Sequence, residues 1–143
     1  MTNTQATTAI DNRTAFIEGV AAVFNRKELD YIDTLYTRDV VDHSAPPGLP
    51  DGIAGIRLKV AAFITAFPDL HLEYEQILVD GDLVAGRFNL TGTHQGDFGE
   101  IAPTGASVNV IGHDMVRIRN GKVAEHWLQL DMLTLMQQLG VIA

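Results

Sequence analysis

Apolar and polar positions change their period along this chain, and the change divides it in two. Phe16, Ile17, Val20, Ala21 and Phe24 recur at helical spacing, with Asp11 or Asn12 available as a cap. The Thr-rich residues 1–9 ahead of them read as a frayed start. Asp30 introduces a second, shorter helix through Ile32, Leu35 and Tyr36 that stops by Asp39. From Asp39 to Ala45 the chain reads as a short strand that sets Asp42 and His43 side by side, so one of the two faces inward. Three prolines and two glycines between Pro46 and Gly52 forbid a ladder or a helix interior and make a loop. A third helix follows, its stripe formed by Ile56, Val60, Phe63, Ile64 and Phe67, and Pro68 ends it.

Beyond Pro68 the period is two. His71–Val79 and Asp82–Thr93 flank Asp80-Gly81, and Val108–Arg119 and Lys122–Leu130 flank Asn120-Gly121. Both dipeptides suit two-residue hairpin turns, whose central residues need positive φ. The glycine-rich stretch from Gly92 to Gly105 reads as a mobile connection between the hairpins. A last short helix carries Met132, Leu133, Leu135, Met136 and Leu139 and stops at Gly140. Helices segregated from an antiparallel run mean an α+β fold. The expected architecture is a cone-shaped curved antiparallel sheet wrapped around three N-terminal helices, with an internal apolar pocket for a small ligand.

Composition narrows the chemistry. The 143 residues suit a single domain. With no cysteine there is no disulfide, thiolate nucleophile or cysteine metal site. The balance of 18 acidic against 10 basic residues, net −8 and without a basic tract, repels polyanions, so nucleic acid is not an expected partner. Apolar stretches fall short of the roughly 18 residues of a membrane span, and Met1–Ala9 lacks the features of a signal peptide, so the expected location is the cytoplasm. Neither His-x-His nor His-Glu-x-x-His spacing occurs, and no metal or other cofactor is expected.

Several short pieces, weak singly, are specific in their order. They are His43 after an acidic residue, Ala66-Phe67-Pro68-Asp69-Leu70, Gly81-Asp82, Gly92-Thr93-His94-Gln95-Gly96, Pro103-Thr104-Gly105, Arg117, Gly121 through Trp127, Asp131, and Gln138-Leu139-Gly140. Together they resemble the SnoaL-like polyketide cyclase or ester cyclase family. The resemblance implies the nuclear transport factor two-like cone, a homodimer formed through the sheet, and cofactor-independent closure of polyketide rings. It also implies that the acid–base aspartate of those cyclases falls where this chain has Leu128, and a histidine of theirs where it has Asp114. Their particular aldol cyclisation is therefore in doubt here: either the carboxylate has crossed to the neighbouring strand or the substrate differs.

A two-residue turn at Asn120-Gly121 would pair Val116 with Glu125, Asp114 with Trp127, Gly112 with Gln129 and Val110 with Asp131. This face, with Val110, Val116, Ile118, Val123 and Trp127, is expected inside; His113, His126, Met115, Leu128 and Leu130 would face away. Asp114, Gln129 and Asp131 would then lie on the wall of an apolar cone, where burial raises carboxylate pKa values toward proton-transfer range. Asp131 would stand about 13 Å from Asp114 at roughly 3.4 Å per residue, too far to share a proton. Gln129 would lie diagonally at roughly 7–8 Å.

The expected catalytic residues are Asp114 as general acid or base, His43 as proton-transfer partner, and Asp131. The expected substrate contacts are Gln129, Trp127, His94 at the pocket mouth, Phe63 and Phe67. Each has a plainer rival: Asp131 as a helix cap, Trp127 as packing, His94 as a loop histidine, His43 displaced inward by Asp42. The function this suggests is proton transfer on a small hydrophobic carbonyl compound, by cyclisation or isomerisation. Alternatives are epoxide opening by an activated water, a non-catalytic small-ligand carrier, or an interaction module using the face around Met115, Leu128 and Leu130.

Overall fold

A computed structural model describes residues 4–143 of the chain, with side chains from Asn12 onward. Residues 1–3 of the stretch expected to fray lie outside the described residues. Helix α1 begins at Thr4 and runs to Val20, so Asn12 stands within it and not at its cap. Its last turn widens over Ala21–Asn25. Asn25 then pins this end to the first long strand: its amide donates to the Leu72 carbonyl at 3.0 Å and its Oδ1 accepts the Leu72 N–H at 2.8 Å. One asparagine thereby satisfies two backbone groups between helix and sheet.

A tight turn at Leu29–Tyr31 leads into α2 (Ile32–Leu35) and strand β1 (Tyr36–Asp42), which starts three residues before the predicted strand. Helix α3 spans Ile53–Ala66 and ends before Pro68. Strands β2 (His71–Asp80), β3 (Leu83–Thr93), β4 (Ser107–Arg119) and β5 (Lys122–Leu130) follow, then α4 (Met132–Gln138). The strand order is β1-β5-β4-β3-β2. One expectation is corrected: the sheet is mixed, because β1 lies parallel to β5 while the other pairs are antiparallel. A strand that precedes a helical crossover can return beside its partner in the same direction. The sheet is open, with β1 and β2 at its edges.

The helices lie over one face of this curved sheet. Phe16, Val20, Ile56 and Val60 pack against alternate residues of the strands, among them Val84, Phe88, Leu90, Val108, Val110, Val116 and Ile118. The inward row of β4 is therefore Val108, Val110, Gly112, Asp114, Val116 and Ile118, a carboxylate set between valines and a glycine. The first hairpin turns on Gly81-Asp82, one residue later than expected, with positive φ at Gly81. The second turns on Asn120-Gly121, both with positive φ (53° and 77°), as expected.

The second hairpin carries a bulge that the turn alone does not announce. Arg119 pairs with Lys122 and Ile118 with Val123, but Arg117 pairs with Glu125, so Ala124 is an extra residue on β5. One extra residue exchanges the faces of everything beyond it. Asp114 consequently pairs with Leu128, not Trp127, and His113, not Gly112, pairs with Gln129. The stretch after β3 is also more fastened than a mobile connection. Gln95 and Gly96 donate their N–H groups to the Ala66 carbonyl, and Phe98 pairs with Ile101. Among the described residues no helix is long and apolar enough to cross a membrane.

Candidate functional site

Between the helices and the inner face of the sheet lies a cavity whose walls are almost wholly apolar. The space open to the centre of a water-sized sphere is about 70 Å³, against the roughly 10–15 Å³ one water requires. Phe16, Phe63, Leu72, Phe88, Val116 and Leu130 supply much of the wall. Into it project Asp114 from β4, His126 from β5, Tyr74 from β2, Tyr36 from β1 and Lys59 from α3. Lys59 reaches it because residues 56, 59, 60 and 63 share one face of α3.

The polar groups form a chain across the wall. Tyr74 donates its hydroxyl to Asp114 Oδ2 at 2.7 Å. His126 Nε2 lies 3.6 Å from the same oxygen, and His126 Nδ1 lies 3.7 Å from Asp42 Oδ1. Lys59 Nζ donates to Asp42 Oδ2 at 2.7 Å, and the Ser44 N–H donates to Asp42 Oδ1 at 3.0 Å. These side chains are buried: Asp114 is 7% exposed, Asp42 9%, and His126 and Lys59 12% each. Within this group two buried atoms have no hydrogen-bond partner, Asp114 Oδ1 and His126 Nδ1. Unpaired buried polar atoms are uncommon and costly, and Asp114, which lines the cavity, can offer Oδ1 to a ligand.

Burial pushes the Tyr74 phenol well above its ordinary range, and the adjoining Asp114 carboxylate adds to the effect. Tyr36 is raised by burial and by Asp114 and Asp42. Both phenols therefore stay protonated as donors. Tyr74 can lie against β3 because residue 86 is glycine: a Cβ there would stand 2.5 Å from the Tyr74 ring. Local geometry also fixes His126. Its carbonyl accepts the His43 N–H at 2.8 Å, and the next inward residue, Leu128, donates its N–H to Ser44 Oγ at 2.6 Å.

Of the residues expected from the sequence, Asp114 and Phe63 line this cavity. The others stand elsewhere. The bulge turns Trp127 and Gln129 to the opposite face of β5, where Gln129 is exposed. His43 also lies there, stacked on Trp127 with ring centroids 4.6 Å apart and planes within 6°, and 3.2 Å from Glu125. Asp42 took the inward position instead. Asp131 caps α4, accepting the Thr134 N–H at 3.1 Å and its hydroxyl at 2.8 Å. Those bonds hold its carboxyl below the usual range, the reverse of a buried proton-transfer acid. His94 is fully buried, not at the pocket mouth; Thr104 holds its Nδ1 and its ring lies against Phe67. Phe67 is fully buried in the core.

His126, Tyr74, Tyr36 and Lys59 escaped the sequence reading. Lys59 was legible as the one polar member of an apolar helix stripe. His126 became inward only through the bulge. The same exchange turns Leu128 and Leu130 into the cavity, which removes them from any exposed interaction face.

The model of the SnoaL-like polyketide cyclases matches residues 14–139. The chain belongs to that family. Its solved relatives share the fold over nearly their whole length. TsrD from Streptomyces laurentii is 25% identical, with 92% of this chain and 96% of that one aligned at a TM-score of 0.84. AclR from Streptomyces galilaeus, described as a candidate hydroxylase, is 33% identical over 94% and 99%, TM-score 0.83. IdmH from Streptomyces antibioticus, described as a candidate polyketide cyclase, is 32% identical over 90% and 98%, TM-score 0.77. No curated protein matches the sequence. The α+β fold with its N-terminal helices and five-stranded sheet is the SnoaL-like, nuclear transport factor two-like cone.

Proposed function

We propose that this SnoaL-like protein is a cofactor-independent acid–base enzyme of the cyclase or isomerase type, acting on a small hydrophobic carbonyl compound held in the cone. The observation that carries the reading is the Asp114 carboxylate, buried in an apolar wall with Oδ1 unpartnered and Oδ2 held by Tyr74. A buried acceptor without a partner is costly, and a substrate group in the cavity would offset that cost.

In the reaction, Asp114 Oδ1 takes a proton from carbon next to the substrate carbonyl, and the electron pair of that C–H bond becomes the enolate. The enolate carbon attacks an electrophilic carbon for ring closure, or is reprotonated elsewhere for isomerisation, and Asp114 returns the proton. Tyr74 holds the other carboxylate oxygen, which leaves Oδ1 as the unpaired, basic one. His126 Nε2, 3.6 Å from Oδ2, is placed to relay the proton after the apo geometry tightens around substrate. The departure from the related cyclases is consistent with this role. Leu128, where the resemblance sets their acid–base aspartate, is the cross-strand partner of Asp114, so the carboxylate stands at the same level of the cone on the adjacent strand.

Asp114→Asn keeps the shape of the side chain and removes the base; turnover should fall about 10²–10⁴-fold with circular dichroism unchanged. Undiminished turnover overturns the assignment. Products formed in ¹⁸O-labelled water separate proton transfer from epoxide opening, which would incorporate solvent oxygen, and a carrier would return its ligand unchanged. A homodimer through the outer face of the sheet is part of the same proposal, and sedimentation equilibrium measures it.

A further inference from the structure

His126 stands between two carboxylates, and only one of them faces the cavity's unpaired space. Asp114 is the reacting group of the reading above; Asp42 is not in reach of a substrate bound to it. Asp42 nevertheless has a side chain only 9% exposed, a position where a lone carboxylate is costly. Lys59 removes that cost with a 2.7 Å ion pair at Oδ2, and the Ser44 N–H takes Oδ1. That leaves Oδ1 its remaining lone pair on the side of His126 Nδ1, 3.7 Å away, and Nδ1 has no other partner.

We propose that Asp42, held in place by Lys59, is a positioning residue that keeps a proton on His126 Nδ1 and so directs Nε2 at Asp114. The inference rests on the acid–base reading of the cavity for its purpose, but not for its physics. A neutral imidazole carries its proton on one nitrogen, and the hydrogen bond made by the other end selects which. Here the backbone fixes the residue first: Asp42 pairs with His126 in the β1–β5 ladder, and the His43 N–H bonds the His126 carbonyl. The ring then has an acceptor anchored by a cation on one side and the Asp114–Tyr74 pair on the other. With Nδ1 occupied, Nε2 is free to exchange a proton with Asp114 or with a substrate oxygen bound beside it. Lys59 contributes by bonding Asp42 Oδ2 at 2.7 Å, which anchors the carboxylate and gives the ammonium a partner, so it does not face an apolar substrate alone.

The test uses the full chain labelled with ¹⁵N at histidine, the His126 signals being those lost in His126→Gln. The wild-type protein should show the neutral ring protonated at Nδ1. In the double variant Asp42→Ala/Lys59→Met, which removes both charges together and leaves neither buried alone, the signals should move toward the Nε2-protonated form. On a turned-over substrate kcat should fall about 10–100-fold, in the manner of other lost orienting partners of histidine, with KM within about twofold. Should the double variant not fold, Asp42→Leu/Lys59→Met keeps more of the volume, offers Nδ1 no acceptor and is read in the same two ways. An Nδ1 signature unchanged by either variant, or an Nε2-protonated ring in the wild type, overturns the proposal. The spectra are taken without substrate, so they decide this point even if Asp114→Asn shows that the cavity does no acid–base chemistry.

Discussion

The two faces of the β4–β5 hairpin carry nearly the same side-chain types and put them to different uses. On the inner face, His126, Asp114 and Tyr74 meet in a cavity where two polar atoms have no partner. On the outer face, His43, Glu125 and Trp127 meet with the carboxylate paired on both oxygens. His43 stacks on Trp127 and bonds Glu125, and Arg117 bridges Glu125 at 2.7 Å and Asp82 at 3.0 Å. The Glu125 carboxyl is held low mainly by Arg117, with His43 assisting. A histidine and a carboxylate thus do not make a site by themselves. Burial with an unmet hydrogen-bonding group distinguishes the inner set, and paired, solvent-screened charges distinguish the outer one.

The largest expected effect tests that contrast directly. His126→Gln should lower turnover about 10²-fold, within the usual contribution of a positioned proton-transfer group, whereas His43→Gln should change it less than about twofold. Steady-state kinetics on the same substrate measure both. If the His43 variant loses as much as the His126 variant, the outer face belongs to the site and the division fails.

The sequence made the two faces legible on β4 and interchanged them on β5, for a local reason. Asn120-Gly121 announces its turn because both residues must take positive φ, and the alternation from Val108 to Ile118 marks which side of β4 is buried. Asp114 therefore stood out. The bulge at Ala124 leaves no such mark, since an extra alanine in a strand changes neither composition nor polarity, yet it moves Trp127 and Gln129 out and His126 and Leu128 in. Asp42 and His43 could not be ordered from sequence because neighbours on a strand face opposite ways and pairing with β5 decides between them. The helix stripes, both hairpins and the α+β class depend on period alone and were readable.

A smaller effect concerns the donor that holds Asp114. Tyr74→Phe should cost roughly 1–3 kcal/mol at pH 8 through the lost hydrogen bond, measured by urea unfolding. It should also alter the alkaline limb. The folded-state pKa of Tyr74 is raised above its unfolded value of about 10, so its contribution is fully present below pH ~10 and is lost as pH climbs toward the folded value. The variant keeps only the Tyr36 contribution, raised by the same burial, and its stability should fall less steeply above pH ~10. Parallel curves for the two proteins would mean that Tyr74 does not titrate against the fold.

The smallest effect separates the two carboxylates that the sequence presented as candidates. Asp131→Ala removes the cap of α4 and should lower the melting temperature slightly while leaving turnover at the wild-type level. The sign of its pH dependence opposes that of Tyr74. Thr134 holds the Asp131 carboxyl below its usual range, so the stabilisation is present above the unfolded carboxylate pKa of about 4 and is lost as pH falls through the folded value. The gap in stability between wild type and variant should therefore be widest near neutrality and narrow in acid. A gap that persists at low pH would show that the cap acts through packing and not charge. A loss of turnover comparable to that of Asp114→Asn would return Asp131 to the catalytic machinery, against its exposed position on the last helix.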